Sequence, residues 1–351
     1  MRFFFCTCSH SFAEKGRMKF YCSYTVYSRF ASRISVALWA AVLQFPAFLS
    51  CTKEAAPAAY PILLKSGAQA PEESVDLFLF SASGDMRLDS YQHCDGTVPD
   101  ILYGMSSGSE SHVLAIANYT GDIYQWASLT TFPQFRRSLV FSLERDNPLA
   151  PLMTGEAHAA AGKERKVEVQ LKPLLCAVKL NSVCFRPYGR PYNTSASLNV
   201  SSAFLMNAGL ESRPLDGSDG ALVTYINQGG LDSTALKRLP KREMLARKLN
   251  LDVGPDLLYP GTTLYCYPNP ATGEDLGQPL TSLVLECVMD GRKCYYSIPL
   301  PGMQRGRIYS LNLRIRRMGA PSADTAGLSG DVEVFTSIAG WEEFPKREIT
   351  L

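Results

Sequence analysis

The run Gly104-Met105-Ser106-Ser107-Gly108 spells G-x-S-x-G, an arrangement that can raise a serine on a strained turn as a nucleophile. That chemistry needs a buried strand before the serine and a helix after it. Here the motif leads through more Gly and Ser into an apolar stretch beginning at His112, so a plain loop is expected. Of four histidines, His10 lies in a leader-like segment, which leaves His93, His112 and His158. No H-E-x-x-H, phosphate-binding loop, EF-hand loop or paired-cysteine zinc motif accompanies them. Cys6, Cys8 and His10 lack a fourth ligand at zinc spacing. Asp216-Gly-Ser-Asp219-Gly reads as a turn, lacking the spaced acids and closing Glu of a calcium loop. Carboxylates are scattered without an acid/base pair, so the expectation is no enzyme, no cofactor and no metal.

The residue whose surroundings do announce chemistry is Cys51. From Met18, the chain carries Lys19, Arg29 and Arg33, then an apolar run Ile34–Leu49, then Ser50-Cys51. This is a positive region, a hydrophobic region and a small residue before a cleavage point. A spanning helix needs about 20 apolar residues, and this run is shorter and holds Gln44 and Pro46. Phe48-Leu49-Ser50-Cys51 resembles a lipobox, in which the cysteine thiol is acylated and becomes the first residue. Residues 1–50 are therefore expected to be a signal peptide, with Met18 the true start and Met1–Arg17 an over-long beginning.

Charge excludes one partner class. The chain has 351 residues and formal charge +2, from 35 basic and 33 acidic side chains. Removing residues 1–50 leaves 29 basic against 32 acidic, about −3, without the basic excess that nucleic acid requires. The one basic cluster, Lys237, Arg238, Lys241, Arg242, Arg247 and Lys248, reads as a solvated helix face, with lipopolysaccharide or an acidic partner the sharper alternative.

The elements that would position any site are strands. Tyr60–Lys65, Val75–Phe80, His112–Ala117 and Leu139–Leu143 read as strands in the first half. Val167, Val169 and Leu171 alternate with Glu168 and Gln170, and Cys176, Val178 and Leu180 continue the pattern beyond Pro173. Thr263–Cys266, Leu283–Met289, Tyr295–Ile298, Leu311–Ile315 and Val332–Ile338 follow. Asp290-Gly291 predicts a two-residue hairpin that puts Met289 opposite Arg292 and Cys287 opposite Cys294. Export permits disulfides, but most of Cys94, Cys176, Cys184, Cys266, Cys287 and Cys294 are expected to be small buried hydrophobes. The single helix expected is Pro240–Leu249. The fold class is therefore all-β, in two Greek-key β-sandwiches, residues 51–171 and residues 172–351.

In this order the pieces resemble the fimbrillin family of Bacteroidia-type (type V) pili, in particular its lipid-anchored subunits. Val75-Asp-Leu-Phe-Leu-Phe80 running into Gly84-Asp85 looks like the family's opening strand, and His112–Asn118 like its strand ending in A-N. Val167–Leu180 looks like its crossover, with Lys172-Pro173 where the family usually has an Arg. Tyr265-Cys-Tyr-Pro268-Asn269, Leu283–Gly291, Tyr309–Gly319 and Val332–Trp341 resemble its later strands. The resemblance implies tandem transthyretin-like sandwiches that join other pilus subunits by strand exchange at the outer-membrane surface. It implies a removable first strand Tyr60–Lys65 with Lys65 as the cleavage residue. It also implies a terminal donor-like strand, Asp331–Leu351, closing the second sandwich, in which Val332, Val334, Phe335, Ile338, Trp341 and Phe344 are candidate plugs. No Arg lies between Cys51 and Val75, which favours an uncut anchor over a stalk subunit. The competing expectation is a surface glycan-binding lipoprotein using Trp126, Tyr124 or the Tyr265–Tyr267 group as an aromatic platform.

Overall fold

The computed structural model describes residues 5–7, 58–66, 73–96, 98, 101–106, 110–121, 126, 128–160, 166–188, 197–215, 242–271, 279–323, 325–326 and 332–341. Cys51, Phe344, Tyr124, Lys237, Arg238, Lys241 and Asp216–Gly220 lie outside them, as does the expected leader apart from Phe5–Thr7.

The all-β expectation holds. The first sheet has strand order β1-β4-β3-β6-β8-β9-β2-β5. Its strands are β1 (Phe5–Thr7), β2 (Ala58–Ser66), β3 (Ser74–Ser81), β4 (Leu88–Asp95), β5 (Ile101–Ser106), β6 (Ser111–Ala117), β8 (Met153–Ala159) and β9 (Val167–Pro173). β8 and β9 pair only through Met153–Pro173 and Thr154–Lys172, and at that corner the sheet turns back on itself. β5 consequently lies across from β3: a Cβ on Gly104 would come within 2.5 Å of Leu79 and 2.6 Å of Ile62.

β3 and β6 are buried along almost their whole length because both faces are covered. Val75, Leu77 and Leu79 face the inner core, while Phe78 and Phe80 face a second aromatic layer. That layer is carried by helix α1 (Phe132–Ser138) together with Trp126 and Tyr119. Phe135 sits 4.8 Å from Phe78 and 5.1 Å from Phe80, and Trp126 stacks 4.7 Å from Tyr119. A two-sided burial needs apolar residues at successive positions, which is why these strands read as continuous runs. The helix starts on a capping box: Thr131 Oγ1 accepts from Gln134 N, and Gln134 Oε1 accepts from Thr131 N at 3.1 Å.

Among the described residues, the second half carries two four-stranded sheets, ordered β14-β10-β17-β18 and β13-β11-β15-β16. The first contains β10 (Cys176–Phe185), β14 (Thr262–Cys266), β17 (Arg307–Ile315) and β18 (Val332–Gly340). The second contains β11 (Leu198–Met206), β13 (Ala246–Val253), β15 (Ser282–Met289) and β16 (Arg292–Pro299). The hairpin forms as its sequence demands: Asp290 and Gly291 both take positive φ, 49° and 75°, and Cys287 lies opposite Cys294. Cys176 lies opposite Cys266 in the other sheet. Cys94, Cys176, Cys184, Cys266, Cys287 and Cys294 are all buried, and burial pushes Cys266 up to about 12.

Two expectations fail. The helix expected over Pro240–Leu249 survives only as the turn Arg242–Leu245, after which β13 pairs antiparallel with β11. Leu249, Leu251 and Val253 alternate with Lys248, Asn250 and Asp252, and that period of two governs once a partner strand is available. Arg247 and Lys248 therefore sit on a strand and not on a helix face. The strand expected over Leu139–Leu143 shrinks to β7 (Phe141–Ser142), because Leu143 opens a 3-10 turn.

The two halves are tied together. β7 pairs with β12 (Glu211–Ser212), and Tyr267 Oη donates to Ser142 O at 3.4 Å. Arg305 donates to Thr154 Oγ1 at 2.5 Å, Thr154 O at 3.0 Å, Pro214 O at 2.9 Å and Lys172 O at 3.1 Å. One guanidinium thereby links the β8/β9 corner to the second half. β9 runs through the expected boundary at Leu171 to Pro173, and β10 starts at Cys176.

Candidate functional site

The terminal strand is the element with least reason to stay where it is. Among the described residues β18 is the outer strand of its sheet, and it pairs along its whole length with β17, from Val332–Ile315 to Gly340–Arg307. Val332, Val334, Thr336 and Ile338 lie opposite the buried residues Ile315, Leu313, Leu311 and Tyr309, so they share the core-facing side. Among the described residues the facing sheet ends at β16 and leaves two of them open: Val334 is 37% exposed and Ile338 52%. On the outer side Phe335 is 58% exposed. Val332 packs partly against the core, and Trp341 closes the strand, 4% exposed and 6.1 Å from Tyr265. Backbone pairing, Val332, the Trp341 indole and Glu333 help to hold β18. Glu333 accepts from Arg314 Nη1 at 3.0 Å and Arg316 Nε at 2.9 Å, and these guanidiniums hold its carboxyl below the usual range.

β2 is the opposite case. It is central, parallel to β9 and antiparallel to β5, and buries Tyr60, Ile62 and Leu64. Pro61 and Leu63 lie on the other face beside Tyr103 and Ile101 of β5, which are 64% and 45% exposed. Lys65 Nζ pairs with Glu168 Oε2 at 2.7 Å. Its backbone is aligned with Gln170, so the Lys65–Ser66 bond lies inside the ladder.

The G-x-S-x-G reading ends in packing. Gly104, Met105 and Ser106 belong to β5 and not to a turn before a helix, and a Cβ on Gly104 would make the terminal methyls of Leu79 and Ile62 shift. Of the aromatic residues considered for a glycan platform, Tyr124 lies outside the described residues and the others are core: Trp126 is 3% exposed, Tyr265 3% and Tyr267 0%.

Strand register gathers two histidine clusters that spacing alone does not reveal. Asp76 Oδ1 accepts from Tyr91 Oη at 2.7 Å and lies 2.7 Å from His93 Nδ1, while His93 Nε2 lies 2.9 Å from Asp95 Oδ1. Burial raises Asp76 above its usual value despite those hydrogen bonds. Burial pulls His93 down, but hydrogen bonds and charge from Asp76 and Asp95 outweigh it and raise its pKa. On β6 and β8, buried His112 lies 3.1 Å from Glu156 Oε2 through Nε2 and 3.2 Å from His158 Nε2 through Nδ1. Contact with His112 lowers Glu156. Among the described residues, no three His, Cys, Asp or Glu side chains are arranged to hold a metal ion. A register prediction for the β3–β4 hairpin would have found the first cluster, since Asp76 and His93 are direct partners.

No protein-family model and no curated protein matches the chain. Solved structures do. A fimbrilin from Porphyromonas gingivalis W83 matches with TM-score 0.58 at 12% identity, covering 82% of this chain and 98% of that one. A candidate cell adhesion protein from Parabacteroides distasonis ATCC 8503 matches with TM-score 0.59 at 11% identity, covering 82% and 97%. One from Bacteroides eggerthii DSM 20697 matches with TM-score 0.55 at 17% identity, covering 82% and 96%. Over most of its length, this chain has the fold of fimbrilin and of these cell adhesion candidates.

Proposed function

We propose that the chain is a structural subunit of a surface fimbria, of the fimbrillin family, with no active site. In this reading an acylated Cys51 holds it in the outer membrane, residues 51–171 and 172–351 form its two sandwich units, and strand exchange joins it to other pilus subunits. The observation that carries the reading is β18, an outer strand whose apolar residues Val334, Phe335 and Ile338 face solvent. A monomer gains little by exposing them, whereas a strand donated to a neighbour's open sheet edge would bury them. The shared fold with fimbrilin supports the same reading.

The anchor role is favoured over the stalk role. Acceptance of a neighbour's strand would require β2 to leave, taking Tyr60, Ile62 and Leu64 out of the core, and Lys65 is the residue at which it would be cut. That bond is held on one side by pairing with β9, and β2 left in place keeps the chain continuous with Cys51. An uncut chain can still donate β18. Mass spectrometry of the mature amino terminus from cells tests this. Acylated Cys51 supports the anchor, a start at Ser66 replaces it with a polymerising stalk subunit, and an unmodified start elsewhere overturns both.

A further inference from the structure

The hairpin of β15 and β16 sets two cysteines face to face. Cys287 and Cys294 are direct cross-strand partners on either side of the Asp290-Gly291 turn. Both lie on the core side of their strands, with Leu285 and Tyr296, and are 0% and 1% exposed. The two-residue turn closes on the Met289–Arg292 pair, and pair types alternate from there, so Cys287–Cys294 is a hydrogen-bonded pair. Cα atoms of such a pair stand about 5.5 Å apart, inside the span of about 4.4–6.8 Å that a disulfide bridges. Burial, and after it the charge of Cys294, push the Cys287 thiol up, as two sulfurs on one side of a ladder should.

Four other cysteines are placed differently. Cys94 lies opposite Val75 and Cys184 opposite Arg314. Cys176 and Cys266 are partners in register, but Cys176 Sγ donates to Gln304 O at 3.0 Å and Cys266 Sγ lies 4.0 Å from Met303 Sδ. Burial alone accounts for the raised Cys266 thiol. A soft metal on the Cys287–Cys294 pair would need further ligands, and among the described residues no three His, Cys, Asp or Glu side chains are arranged to hold one.

We propose that Cys287 and Cys294 close a cross-strand disulfide as the chain folds in the bacterial envelope. The compartment rests on the exported reading above, and the pairing rests on the register alone. Both residues are thiols in the structure, so closure needs an oxidant, and a protein or small-molecule disulfide of the envelope serves. The Cys294 thiolate attacks that disulfide, forming a mixed disulfide and expelling one oxidant sulfur. The Cys287 thiolate then attacks Cys294 Sγ, the new S–S bond forms, and the second oxidant sulfur leaves. Two electrons and two protons pass to the oxidant, which ends as two thiols. Buried thiols raised in this way react slowly. Closure therefore comes while the local hairpin has formed and the sandwich has not yet packed over it, and later burial shields the bridge from reductant. The bridge staples β16, the outer strand of its sheet among the described residues, to β15. Both strands belong to the sheet that lacks β18, so donation of β18 leaves the bridge in place.

The test traps thiols in cells that make the full chain, by acid quenching, denaturation and alkylation with N-ethylmaleimide, followed by digestion after Lys, Arg and Glu and mass spectrometry. That digestion puts Cys287–Arg292 and Cys294–Arg305 on separate peptides. The expected result is one unalkylated product joining the two, which reductant splits, and in Cys287→Ser a fully alkylated Cys294. In a second arm the purified chain is equilibrated with oxidised and reduced glutathione in mild urea, which lets buried thiols exchange, and the same pair closes. A chain whose amino terminus is Cys51 and whose two peptides are both alkylated overturns the proposal, as does a Cys176–Cys266 bridge in place of this one. Alkylated peptides in a chain that keeps residues 1–50 refute export instead. The glutathione arm then decides the pairing: closure of Cys287–Cys294 upholds it, and two alkylated peptides overturn it.

Discussion

Lys65 of β2 holds Glu168 of β9 at 2.7 Å, and the peptide bond that follows Lys65 is aligned in register with Gln170 and Leu171. A protease reads an extended segment released from its sheet, so this bond is open to cleavage only when β2 peels away. The grip on β2 comes from Tyr60, Ile62 and Leu64. Ile62→Ala should weaken that grip by about 2–4 kcal/mol and speed trypsin cutting after Lys65. Timed digestion with amino-terminal sequencing reads the rate, and an unchanged rate would show that the bond is accessible in the folded chain.

The residues of β18 divide by what they contribute to the monomer. Phe335→Ser and Ile338→Ser, at exposed positions, should change unfolding free energy by no more than about 0.5 kcal/mol while abolishing assembly on the cell. Trp341→Ala, at a buried position, should cost about 3–5 kcal/mol. Denaturant unfolding beside surface cross-linking separates the two effects. Large destabilisation by Ile338→Ser would mean that β18 is part of the core.

Asp76 and His93 give a signed pH dependence. His93 has its pKa raised above 6.5 and Asp76 above 3.8, so at each site the folded state holds its proton more tightly than the unfolded chain. Stability therefore falls as pH rises through these folded values, and for His93 that window opens above 6.5. Glu156 acts oppositely, its lowered pKa removing stability only as pH falls below 4.5. Thermal midpoints should decline from about pH 6 to about pH 8, and His93→Gln should flatten the decline. A midpoint that rises over this range would contradict the arrangement.

The serine motif has a structural test as well. Gly104→Ala pushes a methyl group against Leu79 and Ile62 and should cost about 1–3 kcal/mol. Ser106→Ala should leave folding unchanged and remove no hydrolytic activity. Loss of an esterase signal in Ser106→Ala would reopen the catalytic reading.

Much of the frame was legible because local pattern and tertiary environment agree. β3 and β6 read as strands since both faces are covered, and Asp290-Gly291 specified its hairpin through the positive φ that both positions need. Helix α1 was missed although Thr131, Pro133 and Gln134 carry a start signal, because its apolar side is only Phe132 and Phe135. β4 was missed because it is half-buried along most of its length without clean alternation, and with it went the Asp76–His93 register. For β18, alternation located the strand. Exposure of Val334 and Ile338 could not be read, since it depends on where the opposite sheet ends.

The most direct test places a photo-cross-linking amino acid at Ile338 in the full chain and activates it on living cells. Donation of β18 predicts a high-mass product in which mass spectrometry joins position 338 to a sheet-edge strand of a second pilus subunit. Cross-links confined to the chain's own β17, with the protein running as a monomer, would contradict it.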